Sequence, residues 1–248
     1  MLDDEKLSDL RHTLKHVTSV KELWFKKVAG EMTGGDSRKT GYPFITISRQ
    51  AGAGGHTLAE AVMKEMEKRQ NQPLFHAWQI FDNELCQLVM KDERLSVTLE
   101  FLMSERFRSE AEDFWAEFLG KESPQHTVVK KVFECVRTLA KVGKVIIVGR
   151  GGACLTRDLP HGIRVRLVAP LPLRVKRVAE LMKIKESDAK KIVEEWDHSR
   201  AKLLKTFFNR QIDDPLLYDV TWNTGDVPME TIASLIVEMV HQKAQHRA

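Results

Sequence analysis

The sequence predicts a parallel α/β sheet with helices on both faces, and three observations predict it. Apolar runs at residues 44–48, 144–149 and 163–169 read as strands; the middle run is apolar on consecutive residues, as in strands buried on both faces. Segments of helical periodicity lie between the strands, the alternation that parallel crossovers require. The first strand also feeds a glycine-rich loop and then a helix, the layout in which backbone N–H groups converge on an anion.

Each element can be justified in order. Leu7, Leu10, Leu14, Val17, Val20, Leu23, Trp24 and Val28 recur at helical spacing, and a polar, glycine-containing stretch follows at 30–41. Residues 1–40 are therefore expected to be a helical extension and linker, and 41–248 the main domain. After the first strand, residues 58–66 suit a helix. Residues 72–82 carry an apolar and aromatic bias that predicts a second strand ending at Asp82. Residues 83–119 are helix-prone, in two or three short pieces. Ser123 as cap and Pro124 in the first turn open a further helix. That helix puts Val128, Val129, Val132, Phe133, Val136 and Leu139 on one face. A buried strand at 144–149, a strand at 163–169 and a helix at 170–182 come next. Residues 187–208 read as one long helix or two joined by a loop. A last strand is expected at 217–222, and Pro228 opens a C-terminal helix with Glu230 in its first turn. There is no internal repeat or low-complexity tract.

Composition narrows the function classes. The 42% hydrophobic and 30% charged residues are ordinary proportions for a globular chain and exclude disorder as a whole-chain reading. Cys86, Cys135 and Cys154 lie far apart with no CxxC pair, which fits a reducing compartment and excludes a cysteine zinc site. The acidic, polar start is unlike a signal peptide, and no apolar run is long enough to span a bilayer. A soluble cytoplasmic protein with no membrane partner is the expectation. The net charge of +4 is too mild for a nucleic-acid footprint. Arg49, Arg150, Arg174, Arg177, Arg200 and Arg210 fall near element ends, where an anionic small molecule would meet them.

Four constellations carry chemistry. The loop residues Gly52, Ala53, Gly54, Gly55, His56 and Thr57 nearly form the phosphate-binding G-x-x-x-x-G-K-[ST] loop. The lysine position is Gly55, the hydroxyl position is His56, and Arg49 stands at the first glycine. The loop cradles a phosphate or makes a tight turn; His56 touches that phosphate or is exposed. Thr57 caps the helix, the simpler reading, or offers its hydroxyl to a metal-bound water. Asp82 caps a following helix, bonds a sugar hydroxyl or orients a metal-bound water. In Val148-Gly149-Arg150-Gly151-Gly152, Arg150 ends a buried strand, where its fork suits a phosphate; the plainer reading pairs it with Asp158. Asp197 and Arg200 share a helical face, as do Trp196 and Arg200, ahead of Lys202, Lys205 and Arg210. Such cations serve a phosphoryl-transfer lid, or they make a solvated face with an i,i+3 ion pair.

In this order, the glycine loop, Asp82, Val148-Gly149-Arg150-Gly151, Arg174-Val175-Lys176-Arg177 and Asp197-His198-Ser199-Arg200 resemble the cytidylate kinase-like family of P-loop kinases. The segment from Asp214 through Asp226 to Pro228 is similar to that family's last strand and helix entry, so the likeness runs from about residue 44 to 240. The resemblance implies a three-layer αβα nucleoside monophosphate kinase fold, with an acceptor-binding helical region at 83–142 and a lid at 196–214. It implies ATP and Mg²⁺ as cofactors and a nucleoside monophosphate, most plausibly CMP or dCMP, as acceptor. Arg150 matches the arginine near the acceptor phosphate, Asp197 and Arg200 match the lid motif, and Arg177 matches a basic position on the preceding helix. The resemblance thus places Arg177 and Arg200 in catalysis, residues 52–57 at the nucleotide, and Asp82, Arg150 and Asp197 at the substrate; Arg49 joins the catalytic set by its place at the loop entrance. Glycine in place of the loop lysine looks like a recurring variant of this group, whereas true cytidylate kinases keep the lysine. Losing that lysine removes a charge from the β- and γ-phosphates during transfer. Arg49 or a lid arginine is the expected substitute. A nucleotide sensor without turnover and a kinase for another small acceptor are the rival readings; a homo-oligomer is left open.

Overall fold

The computed structural model describes residues 42–82 and 124–245. The expected N-terminal extension at 1–40, the helices at 83–119 and the Ser123 cap lie outside the described residues. Five strands, β1 (Phe44–Arg49), β2 (Gln79–Phe81), β3 (Val145–Val148), β4 (Gly162–Val168) and β5 (Val220–Asn223), form one parallel sheet in the order β2-β3-β1-β4-β5. The helices are α1 (Gly55–Glu67), α2 (Pro124–Val142), α3 (Gly152–Leu155), α4 (Leu171–Met182), α5 (Glu186–Phe208) and α6 (Met229–Gln245).

β1 is central because both of its faces are buried. Ile45 and Ile47 enter a core with Leu58, Val62 and Met66 of α1 and Ile232, Ile236 and Val240 of α6. Phe44 packs on the opposite face with Phe133, Val136 and Leu139 of α2. α1 and α6 present apolar residues three and four apart, so each buries one stripe. The result is three layers, helix on sheet on helix. Chain order reverses direction around β1, with β3 on one side and β4 on the other. A crevice outside the carboxyl ends of the strands at such a switch point is where open α/β sheets bind ligands.

Two predicted elements change. The expected strand at 72–82 is a 3-10 turn at Pro73–Phe75 followed by β2, which covers only Gln79–Phe81. Pro73 has no N–H to give a ladder and instead starts the turn; Ala77 then takes a positive φ of 61°. The expected strand at 217–222 likewise begins with a 3-10 turn at Pro215–Leu217, so β5 starts at Val220. The segment at 187–208 is one helix. Ala189 and Val193 pack on Val175, Val178 and Ala179 of α4, and Phe207 and Phe208 lie 5.5 and 5.3 Å, centroid to centroid, from Phe133. Packing at both ends leaves it no break. Among the described residues no helix is long and apolar enough to cross a membrane.

Candidate functional site

The glycine loop follows β1 directly and is held from beneath. Arg174 and Arg177 reach it from α4: Arg174 donates to the Ala51 carbonyl at 3.1 Å and Arg177 to the Gly52 carbonyl at 3.4 Å. The Thr224 hydroxyl donates to the Ala53 carbonyl at 3.0 Å. Carbonyl and N–H of one peptide point opposite ways, so tying back Ala51 and Ala53 turns the N–H groups of Gly52 and Gly54 outward. Both glycines take the left-handed conformation, φ 74° and 86°, that makes such an anion-binding nest. The N-terminus of α1, with its N–H groups at Gly55, His56 and Thr57, completes the cradle. Gly54 is the N-cap of α1 and no side chain caps it. The capping role for Thr57 is therefore corrected: it lies inside the first turn and is exposed.

Three arginines from three elements line one cleft beside this loop: Arg49 from the end of β1, Arg150 after β3 and Arg200 from α5. The cleft is open to solvent, with about 460 Å³ of empty space counting its mouth. Burial first, then the charges of Arg200 and Arg150, push the Arg49 guanidinium down to about 10; Asp82 opposes them. Burial also lowers Arg200, against the attraction of Asp197. A polyanion between these cations would relieve the repulsion. The wall adds Ser48 and Tyr218, whose hydroxyls lie 3.2 Å apart, and Thr46, whose buried hydroxyl has no hydrogen-bond partner. Burial raises the Tyr218 phenol. Cys154 lies in the same wall, and burial pushes its thiol up to about 11.

The other expected site residues are placed as follows. Asp197 accepts the Ala51 N–H at 2.7 Å, Arg174 Nη1 at 2.8 Å and Arg200 Nη1 at 3.3 Å, so it joins α5 to the loop and to α4. The Asp197–Arg200 pair forms at its i,i+3 spacing, and the Arg200 guanidinium stands 6.0 Å from the Trp196 ring centroid. Arg177 also bonds the hydroxyl and carbonyl of Thr224 at 3.1 and 2.9 Å. The His56 ring is exposed and lies 3.8 Å from Asp82 and 3.7 Å from Glu60. Asp82 directly follows β2, at the same end of the parallel sheet as the loop; whether it caps a following helix lies outside the described residues. Arg150 does not take Asp158, which is held bidentately by Arg137 at 2.8 Å for both bonds. That hydrogen bonding keeps the Asp158 carboxyl below the usual carboxylate range.

Sequence reasoning missed the network under the cleft. Arg166 of β4 is buried, donates to Ser48 at 3.1 Å and pairs with Asp213. The signal was present in the charged alternation Arg164-Val165-Arg166, which puts two cations on one face of a central strand. Arg174, one of the arginines near element ends, lies beneath the glycine loop rather than facing the cleft. Its place under the loop needed the α4 packing to be seen.

The structure of an uncharacterized protein from Eubacterium ventriosum is 23% identical, over 81% of this chain and 98% of its own, with a TM-score of 0.60. Shikimate kinase from Bacteroides thetaiotaomicron is 13% identical over 80% and 98%, with a TM-score of 0.42. The YorR protein of Bacillus subtilis, in complex with phosphorylated GDP, is 15% identical over 82% and 98%, with a TM-score of 0.41. No curated protein matches the chain. The family model described as "Cytidylate kinase-like family" matches residues 44–226. With sheet order, glycine loop and match over most of its length in agreement, the chain belongs to the cytidylate kinase-like family.

Proposed function

We propose that the protein transfers the γ-phosphoryl group of ATP to a nucleoside monophosphate, with CMP or dCMP as the acceptor. One observation carries the reading: Arg49, Arg150 and Arg200 converge on one cleft beside an anion-binding glycine loop. Such crowding of cations is costly without an anionic ligand and suited to one that carries several phosphates. The loop N–H groups and the N-terminus of α1 hold the donor phosphates. Arg150 receives the acceptor phosphate, and Arg200 faces the transferring group from α5. The bond from the γ-phosphorus to the bridging oxygen breaks, a bond to the acceptor phosphate oxygen forms, and ADP leaves with a nucleoside diphosphate. No general base is needed, because a phosphate monoester oxygen is largely ionised at neutral pH. Catalysis is then positioning and charge stabilisation.

Mg²⁺ fits the donor set, since the Thr57 hydroxyl and Asp82 carboxylate are hard oxygen ligands at the same end of the sheet, and the metal would neutralise developing charge on the phosphates. In this reading Arg177 and Asp197 position the loop and α5 rather than meet the transferring group. The glycine at position 55 favours one rival, a nucleotide sensor without turnover. The test incubates the full chain with γ-labelled ATP, Mg²⁺ and CMP, dCMP, UMP, AMP or GMP. Labelled CDP or dCDP is expected. Nucleotide binding without transfer to any monophosphate would favour the sensor or a kinase for another acceptor, and no nucleotide binding would defeat both the kinase and the sensor.

A further inference from the structure

We propose that the phosphate-binding cation of this loop has moved from the first turn of α1 to the end of β1. Arg49 supplies it, and Gly55 is a glycine because the Arg49 side chain crosses it on the way to Gly149, whose φ of 85° already asks for glycine. The inference rests on the nucleotide-binding reading above and deepens it.

Gly55 occupies the position of the loop lysine in the G-x-x-x-x-G-K-[ST] pattern. Unlike Gly52 and Gly54, it has no positive φ, so its backbone conformation does not require glycine. Its reason for lacking a side chain lies in packing. A Cβ there would stand 3.0 Å from Arg49 Cγ, 3.1 Å from Cδ and 3.3 Å from Nε. The arginine stem fills the space in which a lysine stem would begin. At its far end, a Cβ on Gly149 would overlap Arg49 Nη1 and stand 3.1 Å from Cζ. The guanidinium is thus threaded between the start of α1 and the end of β3, and one charge is exchanged for another rather than lost.

The exchange also relocates the charge. Arg49 shares a cleft with Arg150 and Arg200, and its half-buried guanidinium feels both. A lysine ammonium is a point charge, whereas a planar fork offers N–H groups along two edges. Placed beside Arg150, that fork can face the transferring phosphoryl group and the acceptor phosphate together.

The experiment compares wild type with R49A, R49K, G55K and the exchange variant R49G/G55K, which writes the usual pattern back into the loop. MgATP binding is read by calorimetry, and thermal unfolding is read without ligand. R49A is expected to lose affinity by about 10- to 100-fold, the range for hydrogen bonds to a charged group; R49K keeps the charge without the fork and falls between. G55K alone crowds two stems into one space, so it unfolds at a lower temperature and binds no better than wild type. R49G/G55K relieves that crowding and binds MgATP more tightly than either R49A or G55K. Should R49A not fold, R49Q makes the same comparison. Wild-type affinity in R49A, or equal stability of G55K with arginine and with glycine at 49, would overturn the inference alone. A wild-type protein that binds no MgATP would overturn the nucleotide-binding reading, and this inference with it.

Discussion

Replacing Asp197 with alanine removes three hydrogen bonds at once: from the Ala51 N–H at 2.7 Å, Arg174 Nη1 at 2.8 Å and Arg200 Nη1 at 3.3 Å. The Arg174 side chain left behind is only 8% exposed. A naked buried charge would cost about 3–5 kcal/mol. Arg174 is not left naked, because the Ala169 and Ala51 carbonyls still accept from it at 2.8 and 3.1 Å. The loss is therefore set at the lower end, about 3 kcal/mol, to which the orphaned loop amide and Arg174 contribute most. For a chain of this size each kcal/mol moves the melting temperature by about 2–4 °C, so D197A is expected to melt about 6–12 °C below wild type. D197N keeps an acceptor for the Ala51 N–H while losing the charge, and is expected about halfway between. Circular dichroism melts and urea titrations of the full chain measure both. A D197A protein within about 0.5 kcal/mol of wild type would refute the reasoning, since that is the scale of an ordinary surface change. So would an asparagine variant less stable than the alanine one.

Other consequences are equally specific. G52A puts a Cβ at φ +74°, 2.9 Å from Arg174 Cα, a backbone atom that cannot yield. Left-handed strain alone costs about 1–2 kcal/mol; urea unfolding should show at least that loss, with weakened MgATP binding. The Asp158 carboxyl is held below its ordinary range by its hydrogen bond to Arg137, so it contributes stability above the unfolded value that is lost as pH falls through the folded one. D158N should accordingly lose about 1 kcal/mol at neutral pH, the carboxylate being mostly solvent-facing, and the gap from wild type should close in acid. Arg49 loses its proton near pH 10, and an anion binds the protonated form, so MgADP affinity should be flat near neutrality and fall above about pH 10. Constant affinity through that range would remove Arg49 from the anion site.

The parts of this protein legible in its residue order are those that depend on near neighbours. β-branched runs mark β1, β3 and β4 within a residue or two. The alternation of apolar positions marks α2, and α6 is marked by Pro228 at its entry. The glycine loop is legible because positive φ at Gly52 and Gly54 is a local demand that only glycine meets cheaply. Pro73 is legible as well, but the apolar residues around it mask its missing N–H, and the expected strand at 72–82 is too long; at 217–222 the turn that Pro215 starts takes in Leu217. Tertiary structure alone decided which partner each arginine takes. A guanidinium has five N–H donors on a long stem, so its partner is set by whatever the fold brings near. Arg137 takes Asp158, the carboxylate of the plainer alternative for Arg150, and Arg150 lines the cleft. Arg174 and Arg177 turn under the loop, while Arg49 crosses Gly55 toward β3. The contact that joins α5 to the loop, Ala51 to Asp197, spans 146 positions. No periodicity reports such a pairing, because it exists only once the sheet and α4 have packed the two segments together.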